Sequence, residues 1–418
     1  MDEHTEEARR AAARLGRWID ARVEADPVAV VLGASCNGLS FVRSLGRRGI
    51  PTLLVDSRRT LGTYTRFGKV VRLPPPEAAT DAWVVFLELV GERLAAPGVL
   101  FATSDEHTLL MARHEERLRQ HFRFLIPEAE TLARVVDKRA QYELARSMGI
   151  PIPDVRFPES VEQATLLAAE MSYPCILKPC HGHSARAKLG GLKVVVVHSS
   201  DELVAQYERL FALGVPLMVQ EIVPGEDRAL FGYLGFWDRE GRERAWVTKQ
   251  KLRQHPPGFG DGSLQVTVDA PEVADSSRTL LRALRYRGFV GVEFKHDERD
   301  GSYRLIEINA RTVSGNELAI RAGVDFPWLG YRYLTGAELG SGAVTRGRKG
   351  VKYVNEEWDV RAFLALRRTR GITLTRWLGS LRGARAKAIW AWDDPLPLTV
   401  WFGRLARLPL GAILSLIR

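Results

Sequence analysis

Two kinds of hydrophobic spacing alternate along the chain. Val28-Ala29-Val30-Val31-Leu32-Gly33 is a continuous apolar run, the pattern of a buried strand. It enters the turn Gly33-Ala34-Ser35-Cys36-Asn37-Gly38 and then helical spacing at Phe41, Val42 and Leu45, with a second strand over Pro51 to Asp56. Strand, helix and strand in that order make a βαβ unit. Val99 to Thr103 adds a later strand that ends in Ser104-Asp105-Glu106. Residues 27–127 are therefore expected to form a Rossmann-like open parallel sheet.

Pro151-Ile152-Pro153 breaks the pattern after a helix holding Tyr142, Leu144 and Met148. Beyond it the spacing predicts a helix over Val161 to Met171 and strands at Cys175 to Lys178, Lys193 to Val197 and Leu217 to Gln220. A helix at Leu203 to Phe211 precedes the last of these. Later strands are expected at Ala229 to Phe236, Ala245 to Lys249, Leu264 to Val268, Val290 to Lys295 and Tyr303 to Asn309. Hairpins with helices between them indicate an α+β arrangement over residues 128–340. The fold class is thus α/β followed by α+β.

Composition narrows the function classes. The 418 residues are 45% hydrophobic and 26% charged, ordinary for a globular chain of roughly three domains. Cys36, Cys175 and Cys180 form no CxxC pair, so no zinc site or disulfide framework is indicated, as in a reducing compartment. Met1 to Val23 lacks an apolar export core and reads as an exposed helical leader (residues 1–26). No apolar run reaches bilayer-spanning length, and a cytoplasmic location is expected. The net charge of +10 fits either a solvated surface or an anionic partner. The turn at 33–38 has two of the three glycines of a dinucleotide fingerprint, with Asp56 at the second strand's end. A structural turn or a substrate pocket fits it better.

The chemistry concentrates in Gly291-Val292-Glu293-Phe294-Lys295 and Leu305-Ile306-Glu307-Ile308-Asn309-Ala310-Arg311. Alternation puts Glu307, Asn309 and Arg311 on one face of a strand, with Leu305 and Ile308 assigned to the core. Asp300-Gly301 is a turn signal, and a hairpin around it would bring Glu293 beside Glu307. Two carboxylates and a carboxamide are hard oxygen ligands suited to Mg²⁺ or Mn²⁺, and Arg311 offers a fork for a phosphate oxygen. A solvated polar edge is the plain alternative. Lys178 ends an apolar strand beside a loop holding Gly182, His183, Ser184, Gly190 and Gly191, and Lys138 opens the preceding helix. Cations beside glycine-rich backbone suit phosphate. Gln220-Glu221-Ile222-Val223-Pro224-Gly225-Glu226-Asp227 turns sharply after a strand, where backbone can meet an adenine edge and a carboxylate a ribose.

In this order and spacing the elements resemble the ATP-grasp superfamily, over residues 27–336 and nearest to carboxylate–amine ligases of the D-aspartate ligase-like branch. Carbamoyl-phosphate synthetase and biotin carboxylase are more distant likenesses. The resemblance implies a pre-ATP-grasp domain, a two-subdomain ATP-grasp fold, and ATP with Mg²⁺ or Mn²⁺ as cofactors. It implies Lys138 and Lys178 as phosphate ligands, with Gly182, His183 and Ser184 in a covering loop. Gln220, Glu221, Ile222 and Val223 would form the adenine hinge, and Glu226 or Asp227 would hold ribose. Glu293, Glu307 and Asn309 would hold the metal, with Arg311 and Lys178 catalytic. The covering loop departs from the family in lacking a double glycine at its start. The implied reaction is amide formation through an acylphosphate. A carboxylase-like reaction, or a nucleotide-binding protein without turnover, is the alternative.

Substrate contacts are assigned to Lys251 and Arg253, in a cationic run with Lys249 after a strand ending at Val247, and to Ser314 and Gly315 after Arg311. From residue 350 to 418 the chain reads as a basic amphipathic extension. Arg361, Arg367, Arg368, Arg370, Arg376, Arg382, Arg385 and Lys387 meet no acidic residue before Asp393, and Leu374, Trp377, Leu378 and Leu381 recur at helical spacing. Such an element fits peripheral contact with the inner face of a membrane, and then a lipid-linked or envelope-precursor substrate. Docking on the catalytic body or a homodimer contact are the alternatives, and nucleic acid is not expected as a partner, because no binding motif accompanies the charge.

Overall fold

The computed structural model describes residues 3–21, 26–181, 193–337, 339, 345–369 and 371–406. The first sheet holds β1 (Ala29–Leu32), β2 (Thr52–Asp56), β3 (Lys69–Arg72), β4 (Gly98–Ala102) and β5 (Phe122–Arg123), in the order β3-β2-β1-β4-β5 and all parallel. The apolar runs at 29–32 and 52–56 are buried throughout, as a sheet covered on both faces requires. The strand order reverses between β1 and β4, so the crevice beyond their carboxyl ends opens at the turn 33–38 and at Ser104–Asp105. Asp56 and a close backbone approach brace that turn. Asp56 accepts from Ala34 N (2.6 Å) and Arg58 N (2.8 Å), and a β-carbon at Gly38 would lie 1.8 Å from the Gly33 carbonyl oxygen.

The helix Glu3–Asp20 corrects the expectation of an exposed leader. Ala8, Ala11, Ala12, Leu15 and Ile19 form one buried stripe that joins the core of this sheet against Trp83, Phe86 and Val90 of the helix Thr80–Gly91.

A smaller sheet holds β6 (Val155–Arg156), β7 (Cys175–Pro179), β8 (Val195–Val197) and β9 (Leu217–Glu221), in the order β6-β9-β7-β8 and antiparallel. Helices Val161–Ala168 and Ser200–Phe211 pack on it through Ala164, Leu203 and Tyr207. The large sheet holds β10 (Leu230–Trp237), β11 (Glu243–His255), β12 (Asp261–Thr267), β13 (Gly288–His296), β14 (Tyr303–Asn309), β15 (Thr345–Arg346), β16 (Lys352–Val354) and β17 (Ala384–Lys387). Its order is β14-β13-β10-β11-β12-β16-β17, with β15 beside β11.

Two features of this sheet depart from the expected pattern. β11 runs through Lys249, Lys251 and Arg253 to His255, so the cationic run belongs to a strand and all three side chains are buried. The C-terminal segment supplies two strands of the sheet, β16 paired to β12 and β17 to β16. Arg253 and Asp359 bind this segment to β11 with paired contacts of 2.8 and 2.9 Å, both side chains almost fully buried. Arg43, also buried, reaches Asp394 at 2.9 Å and so ties the segment to the first domain. The segment's outer face keeps Leu374, Leu378, Trp392, Leu396 and Phe402 exposed. Among the described residues no helix is long and apolar enough to cross a membrane.

Candidate functional site

The acidic row is built by a hairpin with one irregularity. β13 and β14 are antiparallel, and Glu293 pairs in register with Glu307. Strict alternation would put Leu305 on the same face as Glu307. The register instead shifts after Glu293, so that Phe294 pairs with Leu305 and Ile306 is left over. This bulge returns Leu305 to the core, where it is 0% exposed, while Glu307 and Asn309 stay at the cleft. β14 is an edge strand, and the helix Lys138–Ser147 covers it. Gln141 uses both ends of its amide on Ile308, accepting from N at 2.8 Å and donating to O at 3.1 Å. Tyr142 donates to the Ile306 carbonyl at 2.8 Å and to Gln220 at 3.1 Å, joining this helix to the smaller sheet.

That helix also aims Lys138. Asp137 caps its first turn by accepting from Arg139 N at 2.8 Å, and Lys138 Nζ meets Glu307 Oε2 at 3.1 Å. Lys178 comes from β7 on the opposite side. Burial raises the Glu307 carboxyl, but Lys138 and Lys178 outweigh it and hold the group well below the usual carboxylate range. Burial and then Lys138 lower the Lys178 ammonium to about 7. Lys251 Nζ meets Glu293 Oε1 at 2.8 Å, so each carboxylate of the pair has its own lysine. Asn309 donates to Glu307 Oε1 at 3.2 Å and accepts from Arg311 Nη2 at 3.2 Å.

The oxygen set of Glu293, Glu307 and Asn309 is chemically suited to a hard divalent cation. Among the described residues no group of three or more His, Cys, Asp or Glu side chains could enclose a metal. An ion held by this row therefore takes much of its shell from water and phosphate. The lysines beside it neutralise the row and leave it open to an anion.

Arg311 has a partner that sequence reasoning passed over. Asp105, from the first domain, takes its guanidinium at 2.9 Å through Nε and 3.1 Å through Nη2. Ser104 caps the helix that Asp105 opens. The only sequence signal for this contact was acidic residues at the carboxyl end of β4. Asn37, from the turn 33–38, also crosses the domain junction, donating to the Thr312 carbonyl at 2.9 Å.

The remaining expected residues are distributed unequally. Gln220 is buried, Glu221 is taken by Arg299 at 2.9 Å, and Ile222 is half-buried. Val223 is buried. Asp227 accepts from Gln254 Nε2 at 2.8 Å and Gln254 N at 3.0 Å, whereas Glu226 is exposed. Arg253 is a correction: its fork is occupied by Asp359, which removes it from the substrate-facing set. Ser314 offers its carbonyl to Tyr353 Oη at 3.1 Å, and Gly315 lies against Lys249. Gly182, His183 and Ser184 lie outside the described residues.

One titration follows from this geometry. Above pH 7 Lys178 is increasingly neutral in the free protein, and a polyphosphate placed beside it would favour the ammonium. Nucleotide binding at pH 8 is expected to take up a proton, an uptake that fades below pH 6, where Lys178 is already charged. Calorimetry in two buffers of different ionisation enthalpy measures it; equal heats at pH 8 would contradict the placement of Lys178.

The family description "ATP-grasp in the biosynthetic pathway with Ter operon" matches residues 215–357. A D-aspartate ligase of Enterococcus faecium is 24% identical over 263 residues, covering 59% of this chain and 62% of that protein. The carbamoyl phosphate synthase large chain of Methanothermobacter thermautotrophicus is 25% identical over 302 residues, 68% of this chain but 27% of that one. The chain thus spans less than two thirds of the length of either relative. Among solved structures, an N5-carboxyaminoimidazole ribonucleotide synthetase in complex with ADP has a TM-score of 0.60 at 15% identity, covering 82% of this chain and 85% of its own. The biotin carboxylase domain of the Hydrogenobacter thermophilus 2-oxoglutarate carboxylase, solved with MgADP and bicarbonate, has a TM-score of 0.60 at 16% identity, covering 78% of this chain and 73% of its own.

Proposed function

We propose that this chain, which has the fold of the ATP-grasp proteins, is an ATP-dependent ligase that joins a carboxylate to an amine through an acylphosphate. The observation that carries the reading is the in-register pair Glu293 and Glu307, flanked by Lys138, Lys178 and Lys251 at one cleft. Acidic oxygens for a metal beside cations for phosphate are what positioning a nucleotide for phosphoryl transfer requires. The relative named D-aspartate ligase supports amide formation with an amino acid among the substrates.

In this reading Lys138 and Lys178 hold the terminal phosphates, the backbone of 220–223 meets the adenine, and Glu226 takes the ribose. Glu293, Glu307 and Asn309 would hold magnesium or manganese, which would neutralise charge on the phosphate oxygens. A carboxylate oxygen attacks the γ-phosphorus, the bond to the β-phosphate oxygen breaks, and ADP leaves. The amine then attacks the acyl carbon and loses a proton as phosphate departs. Arg311, held by Asp105 and Asn309, stabilises the oxyanion formed between these events. The reading extends to peripheral membrane contact by the C-terminal segment, supported by exposed Trp392, Leu396 and Phe402 near Arg404.

Phosphate release from ATP across a panel of carboxylic acids, each with and without amino acids as acceptors, tests the proposal. The expected result is release that requires both partners, with an amide product by mass spectrometry. Bicarbonate-dependent release without an amide product would replace it with a carboxylase reading, and nucleotide binding without release from any pair would remove catalysis.

A further inference from the structure

The first sheet ends at β3, and among the described residues no strand pairs with its outer side. An open edge presents main-chain donors and acceptors without partners. A groove of about 580 Å³, a volume in the range of ligand-binding clefts, lies beside it. All four residues of β3, Lys69 to Arg72, line this groove. Neighbouring residues of a strand point to opposite faces, so a groove that touches all four lies along the edge. One wall is the helix Glu3–Asp20, where Glu7, Ala11, Arg14 and Leu15 share a face. The other wall is Arg59 with the helical turn Leu61–Tyr64.

The lining is apolar below and cationic above. Ala11, Leu15 and Val71 are buried, whereas Arg14, Arg59, Lys69 and Arg72 are exposed. Glu7 is the one carboxylate among the lining residues, and among the described residues none of the four cations has an ion pair. An aromatic ring positions cations at one end instead. The guanidinium groups of Arg59 and Arg404 lie 5.6 and 5.8 Å from the centroid of Tyr64, and Arg404 Nη2 donates to the Arg59 carbonyl at 3.0 Å. Cations held by a ring keep their charge available to an anion. Charged residues on an edge strand also discourage pairing with another chain, which is a sufficient use for Lys69 and Arg72. It does not account for Arg14 and Arg59, which come from a helix and a loop and converge on the same groove.

We propose that this groove is the docking site for an extended acidic peptide segment of a partner protein. The segment adds to β3 as a further strand, sets carboxylates against Arg14, Arg59, Lys69 and Arg72, and lays apolar side chains on the floor. A lipid surface or a small phosphate would meet the cations and leave the strand edge unpaired; a peptide uses both. The proposal goes beyond the ligase reading and does not depend on it. β3 lies three strand spacings, about 14 Å, from β4, whose carboxyl end leads to Asp105 at the cleft, and no lining residue of the groove belongs to that cleft.

Fluorescence anisotropy with the full chain and a labelled peptide that alternates glutamate and valine tests this. Saturable binding is expected, with tenfold or weaker affinity for the counterpart that alternates lysine and valine. In a strand all glutamate N–H groups point to one side and all valine N–H groups to the other. Methylating one set of nitrogens should therefore cost tenfold or more, and methylating the other set less than threefold. Arg14→Glu combined with Arg72→Glu, both at exposed positions, should weaken the acidic peptide tenfold or more at an unchanged melting temperature. The methylated peptides on the native chain decide the matter if that variant does not fold. No binding of the acidic peptide, equal binding of the lysine peptide, equal loss from both methylated forms, or an affinity untouched by the charge reversal overturns the proposal. So does binding of phosphatidylglycerol vesicles or inorganic pyrophosphate through Arg14 and Arg72 where the peptide does not bind, which assigns the groove to a lipid surface or to phosphate.

Discussion

Glu307→Gln should lower ATP-dependent phosphate release by roughly 10²–10³-fold, the cost typical of losing one preorganised electrostatic partner of a transition state. The expectation comes from how many groups depend on this one charge. Lys138 is bonded to it at 3.1 Å, Asn309 is oriented by it at 3.2 Å, and its field opposes the depression of the Lys178 ammonium. Glutamine keeps the volume and can keep one hydrogen bond, but it removes the counter-charge and the anionic metal oxygen together. The two lysines then repel each other across the place where phosphate must sit. Lys178 should deprotonate at still lower pH, so the residual activity should fall earlier as pH rises. The fold should survive, because Leu305 and Ile308 carry the packing of β14 and Glu307 faces the cleft. Phosphate release under saturating ATP and magnesium, with the melting temperature as control, reads the outcome. A variant that is as fast as the native chain and equally stable would mean that the acidic row has no part in phosphoryl transfer.

How much of this site could be read in the sequence depended on whether the signal was local. Glu293, Glu307 and Asn309 were legible because a hairpin needs only a turn at Asp300-Gly301 and two alternating strands, and all of these lie within twenty residues or so. The bulge at Ile306 was not legible. Nothing in the composition of Leu305-Ile306-Glu307 says that one residue drops out of register, yet the placement of both Leu305 and Glu307 requires it. Asp105 was invisible as a partner for Arg311 for another reason: 206 positions separate them, and a single acidic residue at a strand end has many possible uses. The same limit explains Lys249, Lys251 and Arg253. Charge pattern alone made them one cationic run for an anionic substrate. Their separate roles follow from Glu293, Asp359 and Gln265, residues on three other elements.

The C-terminal segment shows the converse. The stretch from Arg361 to Lys387 contains no acidic residue, and charge counting therefore gave it a surface role. Two of its structural anchors are single acidic residues at either side of that stretch, Asp359 and Asp394, each meeting one buried arginine from far along the chain. Another is strand pairing by β16 and β17, too short to show a period. Net charge pointed to a surface role, and these contacts instead bear out docking on the catalytic body, the alternative to it.

Asp359→Ala should accordingly destabilise the fold by about 3–5 kcal/mol, the cost of leaving a buried charge without its partner. Asp359 is 1% exposed and accepts from Arg253 Nε and Nη2, from Ser263 Oγ at 3.0 Å and from Trp377 Nε1 at 2.8 Å. Arg253 cannot turn to solvent, since it too is 4% exposed and rooted in β11. Trp377, stacked on Phe363 with ring centroids 4.5 Å apart, would keep its aromatic contact and lose its acceptor. The penalty is therefore set by the stranded guanidinium more than by the lost hydrogen bonds of Ser263 and the indole. A second variant separates these terms. Arg253→Met combined with Asp359→Leu removes both charges and fills the space, and should recover most of the loss, because a buried ion pair replaced whole by apolar side chains is often neutral or better. Urea midpoints for the native chain, the single variant and the pair measure the effect. If the C-terminal segment were an appendage resting on the body, Asp359→Ala would leave the main transition where it is; a shift of that transition, reversed in the pair, shows that this ion pair holds β16, β17 and the helix Glu356–Arg368 as part of the sheet that carries the site.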